Sequence, residues 1–513
     1  MASAVGLLLL VMISNSPISI LADVQLPALF QDHMVLQQMT EIPVWGWANP
    51  GEKIHLEFAD QQKNLEANDV GEWSTSLTPI PYGGPYQMTI SAENEVVLKD
   101  ILLGEVWLCS GQSNMDFTVS KAKDSEMEIA AADFPNIRLF SVKKAMTYDG
   151  PNSDCNGSWT VCSPESIKKF SAVAYYFGRE IHEELDVPVG LIQASWGGTR
   201  VEAWTSRQAL ESHEAGESAI QKYEHELATF DPQQAARDYD ERLEAWEKKK
   251  LRKPNVKKPK KKPSPAKNRN APTGLFNAMI NPTIPFAIQG VIWYQGEANS
   301  KTEQDAYQYR TLLSSMIQNW RQSWDQGDFP FYFVQLPAFA SEKVYWPIIR
   351  ESMSVVNSTI KNTGMAVTVD LDETKLHPKN KQDVGYRLAL LALGDTYQRD
   401  IAFLGPEVKT VRLKGSEVLI RFKSFGDGLS TTQAELSGFE LAGADGQYHS
   451  AQANVISSGF FKREQNQVSV TSPTVSNPVY VRYAWANAPV ASLKNSAGLP
   501  APPFQLEVHA SGK

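Results

Sequence analysis

Of the eight histidines in the chain, His377 has the setting of a general base. It follows the acidic stretch Asp370-Leu371-Asp372-Glu373 and precedes a helix expected over roughly Asn380 to Leu393. An imidazole titrates near neutrality, so it can take the proton of a hydroxyl as that hydroxyl attacks. The matching hydroxyl is Ser113, in Gly111-Gln112-Ser113-Asn114-Met115. A serine at a glycine-supported turn between strand and helix presents its oxygen outward. The nearby N–H groups, at a helix N-terminus, favour developing negative charge. The run is not the Gly-x-Ser-x-Gly elbow. A carboxylate that orients the imidazole would complete a triad.

Two further motifs carry compatible chemistry. Ser195-Trp196-Gly197-Gly198-Thr199-Arg200 pairs two glycines, whose backbone N–H groups can approach a substrate oxygen closely. Trp293-Tyr294-Gln295-Gly296-Glu297-Ala298-Asn299 supplies amides and a carboxylate for an oxyanion or for sugar hydroxyls, with aromatics to stack on a sugar face.

The elements that must position these motifs are short apolar strands alternating with helices. Glu105–Cys109, Val189–Ala194, Ala287–Tyr294, Phe331–Gln335 and Met365–Asp370 read as buried strands. Ser163-Pro164-Glu165 reads as a helix start, with the helix running to about Leu185. This alternation predicts an α/β fold with a mostly parallel sheet, and such sheets collect their sites at the carboxyl ends of the strands. Each motif falls at such an end.

Beyond this core the pattern changes. Residues 23–103 and 401–513 are short β runs with Gly, Pro and Asn/Asp punctuation, and read as flanking β-sandwich-like domains around a catalytic domain at 104–400. Residues 206–270 read as an insertion, a helical excursion passing into a Lys/Pro-rich loop. Lys248 to Arg269 holds 12 of the 49 basic residues, a candidate contact for an acidic surface or polymer. The net charge of −9 gives no pull toward nucleic acid. Residues 1–22 read as a signal peptide cut after Ala22, implying a secreted, periplasmic or otherwise extracytoplasmic protein with no stable membrane insertion. Cys155 and Cys162 are close enough in sequence to close a small disulfide loop, and Cys109 reads as a buried filler.

Taken together, these motifs resemble the sialate O-acetylesterase family, a branch of the SGNH-type esterases. The resemblance rests on the three motifs above with His377-Pro378-Lys379-Asn380-Lys381. It extends to Asp32-His33-Met34-Val35-Leu36-Gln37, Val44-Trp45-Gly46-Trp47 and Ala497-Gly498-Leu499-Pro500-Ala501-Pro502-Pro503-Phe504. It implies an SGNH/flavodoxin-like catalytic sheet and a serine esterase that removes O-acetyl groups from a sugar, without metal or cofactor. Ser113 would be nucleophile and His377 base. Ser113 N–H, Gly197 or Gly198 and the Gln295 side chain would form the oxyanion hole. Gln112, Asn114, Trp196, Arg200, Glu297 and Asn299 would bind substrate. Related esterases often place Asp three residues before the histidine; Thr374 stands there, leaving Asp372, Asp370 or a Ser–His dyad. An acetyl esterase for plant or microbial polysaccharide and a non-catalytic carbohydrate-binding protein are the alternatives.

Overall fold

The computed structural model describes residues 23–510 apart from 262, 372, 424–425, 433–434 and 459–463. The proposed signal peptide, 1–22, and Asp372 therefore lie outside the described residues.

Apolar runs with no polar alternation build a sheet covered by other elements, as expected for parallel strands. Its order is Thr363–Ala366, Phe331–Val334, Gly290–Tyr294, Glu95–Gly111, Val189–Ser195, Phe134–Ser141, Trp159–Cys162. All neighbours pair in parallel except the last two. The central strand, Glu95–Gly111, is buried at every position from Ile101 onward. Helix Ala172–Leu185 packs on Gln382–Leu391, and Glu303–Trp324 packs on Trp346–Thr359.

The helix expected from Ser163 starts later. Ser163 Oγ instead accepts from Ser166 N–H in a turn, and a short 3-10 segment, Ile167–Lys169, follows. Ser171 is the true cap, accepting from Ala174 N–H at 3.2 Å. Asp186 closes the helix in the left-handed conformation.

Glu95–Gly111 does not respect the expected boundary at 103/104. Its first half pairs antiparallel with Gly83–Ser91, and its second half enters the parallel sheet without a break. The apolar residues of the N-terminal β region and of the parallel sheet form one continuous core from Val24 to Leu393. The C-terminal β region has its own core, Val418 to Val508, within separate sheets of five, four and two strands.

Two devices tie that region to the rest. The Arg350 guanidinium, fully buried, donates to the carbonyls of Leu336, Pro337, Ala486 and Asn487. Asp370 pairs with Arg387 at 2.6 Å and with Lys494 at 2.8 Å.

The residues from 206 to 250 form three helices, Arg207–Glu211, Glu214–Ala228 and Pro232–Lys250, the last with no buried residue. The described part of the Lys/Pro run beyond it is mostly exposed. Cys109, Cys155 and Cys162 are buried free thiols, so the Cys155–Cys162 bridge is not formed; burial pushes both of those thiols up to about 12. Among the described residues, no helix is long and apolar enough to cross a membrane.

Candidate active site

Strand register brings three motifs to one level. Ser195 and Tyr294 both pair with Gly111, at the carboxyl ends of adjacent parallel strands. The next residues of each, Gln112-Ser113, Trp196-Gly197 and Gln295-Gly296, therefore leave the sheet side by side. Gly111 has φ +137°, and a β-carbon there would stand 2.2 Å from Tyr294 O. Only glycine permits that approach. Gly197 packs on the serine itself, since a β-carbon on it would lie 3.2 Å from Ser113 Cβ.

His377 arrives from the loop after Thr363–Ala366, and its Nε2 lies 2.8 Å from Ser113 Oγ. Ser113 is half-buried and His377 exposed, so the pair faces solvent. Partial burial, then the charges of Lys381 and Lys121, hold the imidazole below its ordinary value. If Ser113 donates to Nε2, the neutral ring carries its hydrogen on Nδ1. No described residue accepts that hydrogen. Asp370, one of the two expected acids, is held by Arg387 and Lys494 instead. Glu373 accepts from Lys379 N–H at 2.7 Å and Asn380 N–H at 3.1 Å, folding the loop around the histidine.

Most of the polar residues expected to touch substrate lie underneath the pair rather than beside it. Gln295 is fully buried. Its amide nitrogen is enclosed by Asn299 Oδ1 at 2.9 Å, Thr199 O at 3.0 Å and Gln112 Oε1 at 3.3 Å, while its Oε1 accepts from Tyr309. Its two N–H groups are thus directed into the protein, which removes it from the expected oxyanion hole. Asn299 donates to Glu202 and accepts from Val201 N–H. Gln112 accepts from Ala298 N–H. Arg200 is balanced by Glu202 and Asp305. Trp196 alone of the expected contacts is half-exposed with no such commitment.

Asn114 lies at the centre of a second buried group. Its Nδ2 donates to Glu297 Oε1 at 2.6 Å and to Leu376 O at 3.0 Å, and its Oδ1 accepts from Lys381 at 2.6 Å. Burial pushes Glu297 up to about 7 and Lys381 down to about 7. The Lys381 ammonium also lies over the rings of Phe117 and Tyr294, at 5.1 and 5.2 Å. Lys381 belongs to the motif that begins at His377, and its position four residues after the base is the signal for it in the sequence.

Backbone donors remain. Among the described residues, Ser113 N–H and Gly197 N–H make no hydrogen bond within the protein, and Gly197 packs directly on Ser113. No group of His, Cys, Asp and Glu among the described residues is arranged to hold a metal ion.

Comparison with known proteins shows the family. The model of the carbohydrate esterase family of sialic acid-specific acetylesterases matches residues 103–247 and 267–393, more than half of the chain. The unmatched stretch between the two ranges, 248–266, falls on the Lys/Pro run. A carbohydrate acetylesterase from Xanthomonas citri superposes with a TM-score of 0.79 at 31% identity, covering 94% of this chain and 99% of that one. Sialate O-acetylesterase of Mus musculus is 28% identical across 94% of each chain. The Homo sapiens enzyme of that name is 27% identical, across 92% of this chain and 90% of its own. The chain is an esterase and belongs to the carbohydrate esterase family of sialic acid-specific acetylesterases.

Proposed function

We propose that this esterase removes O-acetyl groups from O-acetylated sialic acid through an acetyl-serine intermediate on an SGNH-like sheet. The observation that carries the reading is the 2.8 Å approach of His377 Nε2 to Ser113 Oγ at the carboxyl edge of the parallel sheet. Ser113 Oγ attacks the acetyl carbonyl while His377 Nε2 takes its proton. The tetrahedral oxyanion is held by Ser113 N–H and Gly197 N–H, donors that need no reorganisation as charge develops. His377 returns the proton to the departing sugar oxygen. Water then attacks the acetyl-serine with His377 again as base, releasing acetate and restoring the serine.

Acetate release by the protein and by Ser113→Ala, on O-acetylated sialic acid, acetylated xylan and a small aryl acetate, tests this. Serine-dependent release mainly from sialic acid is expected. Release mainly from xylan moves the substrate to the polysaccharide branch, and release from none overturns the serine mechanism. Asp372→Asn separates triad from dyad: a fall of about 10⁴-fold assigns the Nδ1 hydrogen to that carboxylate, and an unchanged rate leaves Ser113 and His377 to act as a pair.

A further inference from the structure

The residue that closes the basic run, Arg269, sits at the mouth of this site. A β-carbon on Gly198 would stand 3.0 Å from Arg269 Nη2, so the guanidinium lies over that glycine. Gly198 is exposed and directly follows Gly197, the glycine packed on Ser113. The arginine's loop is braced on both sides of this point. Arg200 N–H donates to Asn270 Oδ1 at 2.7 Å, and Asn270 Nδ2 donates to Gly198 O at 3.2 Å. Asn270 N–H donates in turn to Asn268 Oδ1 at 3.0 Å. The Lys/Pro run thus ends in a fixed turn against the catalytic glycines.

The charges around it are balanced unevenly. Arg200 is neutralised by Glu202 and Asp305, and Lys144 by Asp116. Lys381 is buried. Arg269 is exposed, and among the described residues no carboxylate lies within ion-pair distance of it. Lys121, on the histidine side, is an exposed cation whose charge reaches His377. A guanidinium left open to solvent over the glycine that follows the one packed on Ser113, in a chain of net charge −9, is suited to an anionic ligand. Its planar fork matches a carboxylate in a two-point hydrogen bond that an ammonium does not reproduce.

We infer that Arg269 binds the carboxylate of the sugar acid whose acetyl group Ser113 attacks, and so sets the preference for acidic over neutral acetylated sugars. This rests on the serine-esterase reading of the site. A sialic acid carries its one ionised carboxylate on the ring carbon at the glycosidic position, and its acetyl esters lie elsewhere on the same molecule. Seating the carboxylate on Arg269, over Gly198, leaves the ester side of the sugar to reach Ser113 past Gly197. A neutral acetylated sugar has nothing to place there.

The test is kinetic. Wild type, Arg269→Gln, Arg269→Lys and Lys121→Gln are assayed on O-acetylated sialic acid, on its C1 carboxamide and on an aryl acetate. Arg269→Gln is expected to raise KM for the acid roughly 10- to 100-fold, with Arg269→Lys recovering only part of it. Both leave the carboxamide and the aryl acetate unchanged, and the wild type is expected to disfavour the carboxamide by a similar factor. Equal losses on all three substrates would mean the arginine only supports its loop, and would overturn the assignment. So would an unchanged KM for the acid, or the same loss with Lys121→Gln, which would reveal a general positive field. If the wild type cleaves the aryl acetate but neither sialic acid derivative, the substrate reading fails and this inference with it; if it cleaves none, the serine mechanism fails first.

Discussion

Asn114 donates its side-chain amide to the carbonyl of Leu376 at 3.0 Å, joining the neighbour of the nucleophile, beyond the central strand, to the neighbour of the base, beyond the edge strand. The 2.8 Å contact between Ser113 and His377 is thereby supported from below by a bond that neither reacting residue makes. Asn114→Ala should lower kcat by on the order of 100-fold with little change in KM, because a small misplacement of reacting groups is costly. It should also lower thermal stability, since Glu297 and Lys381 lose their common partner in the interior. A KM effect with kcat intact would place Asn114 at the substrate instead. Steady-state kinetics beside a melting curve separate the two.

The pH profile follows from the surroundings of His377. Burial, Lys381 and Lys121 all disfavour the imidazolium. The ring therefore stays neutral, and competent as a base, to a lower pH than a free histidine. The acid limb of kcat/KM on an aryl acetate should lie below pH ~6.5. Lys381→Met removes one of the charges that depress the imidazole, so the limb should move to higher pH. A limb that does not move would mean the lysine's charge is not felt at the base.

Gly197→Ala is a probe of crowding rather than of folding. Its backbone is not in the left-handed region, so the strain is local: the new methyl would stand 3.2 Å from Ser113 Cβ. Turnover should fall by at least ~10-fold, in keeping with disturbance of an oxyanion donor, while the melting temperature stays close to wild type. A variant as active as the parent would mean that the methyl is accommodated without displacing Ser113, and that this close contact does not position the nucleophile.

Asp370 makes the opposite kind of prediction. Burial alone would raise its pKa, but the hydrogen bonds and charges of Arg387 and Lys494 outweigh this and hold it below the usual carboxylate value. Its stabilisation is therefore present above pH ~3.9, where the unfolded carboxyl is already ionised, and is lost as the pH falls through the lower native value. Asp370→Asn should cost roughly 3–5 kcal/mol at neutral pH, and the gap from wild type should close in strong acid. Denaturant melts at two pH values check this. A fall in kcat of about 10⁴-fold without loss of stability would instead make Asp370 the triad acid.

The strands that carry the site were legible because a parallel strand buried on both faces leaves an uninterrupted apolar run. Val189–Ser195 and Gly290–Tyr294 stand within a few residues of their expected places. The helix start at Ser163 misled because Ser-Pro-Glu suits a tight turn as well as a cap. By sequence alone Gln112, Asn114, Gln295, Glu297 and Asn299 face the substrate; in the structure they are buried. Amides and carboxylates at a strand end are equally suited to hydrogen-bonding one another in the interior, and only the packing of neighbouring loops decides between these. Arg269 was obscured for a related reason. Composition marks the run before it as lacking a core, but says nothing of the bonds Asn270 makes to a glycine 72 positions earlier.

The strand Glu95–Gly111 also determines where this chain can be cut. Removing residues 23–103 would sever a single strand midway and open the apolar core shared from Val24 to Leu393. A catalytic fragment beginning at 104 would keep that strand paired on both sides but expose the apolar side chains of the shared core, and would tend to aggregate. The C-terminal region, with a core of its own, is the part that a truncation can detach, once Arg350 and Asp370 have released their hold.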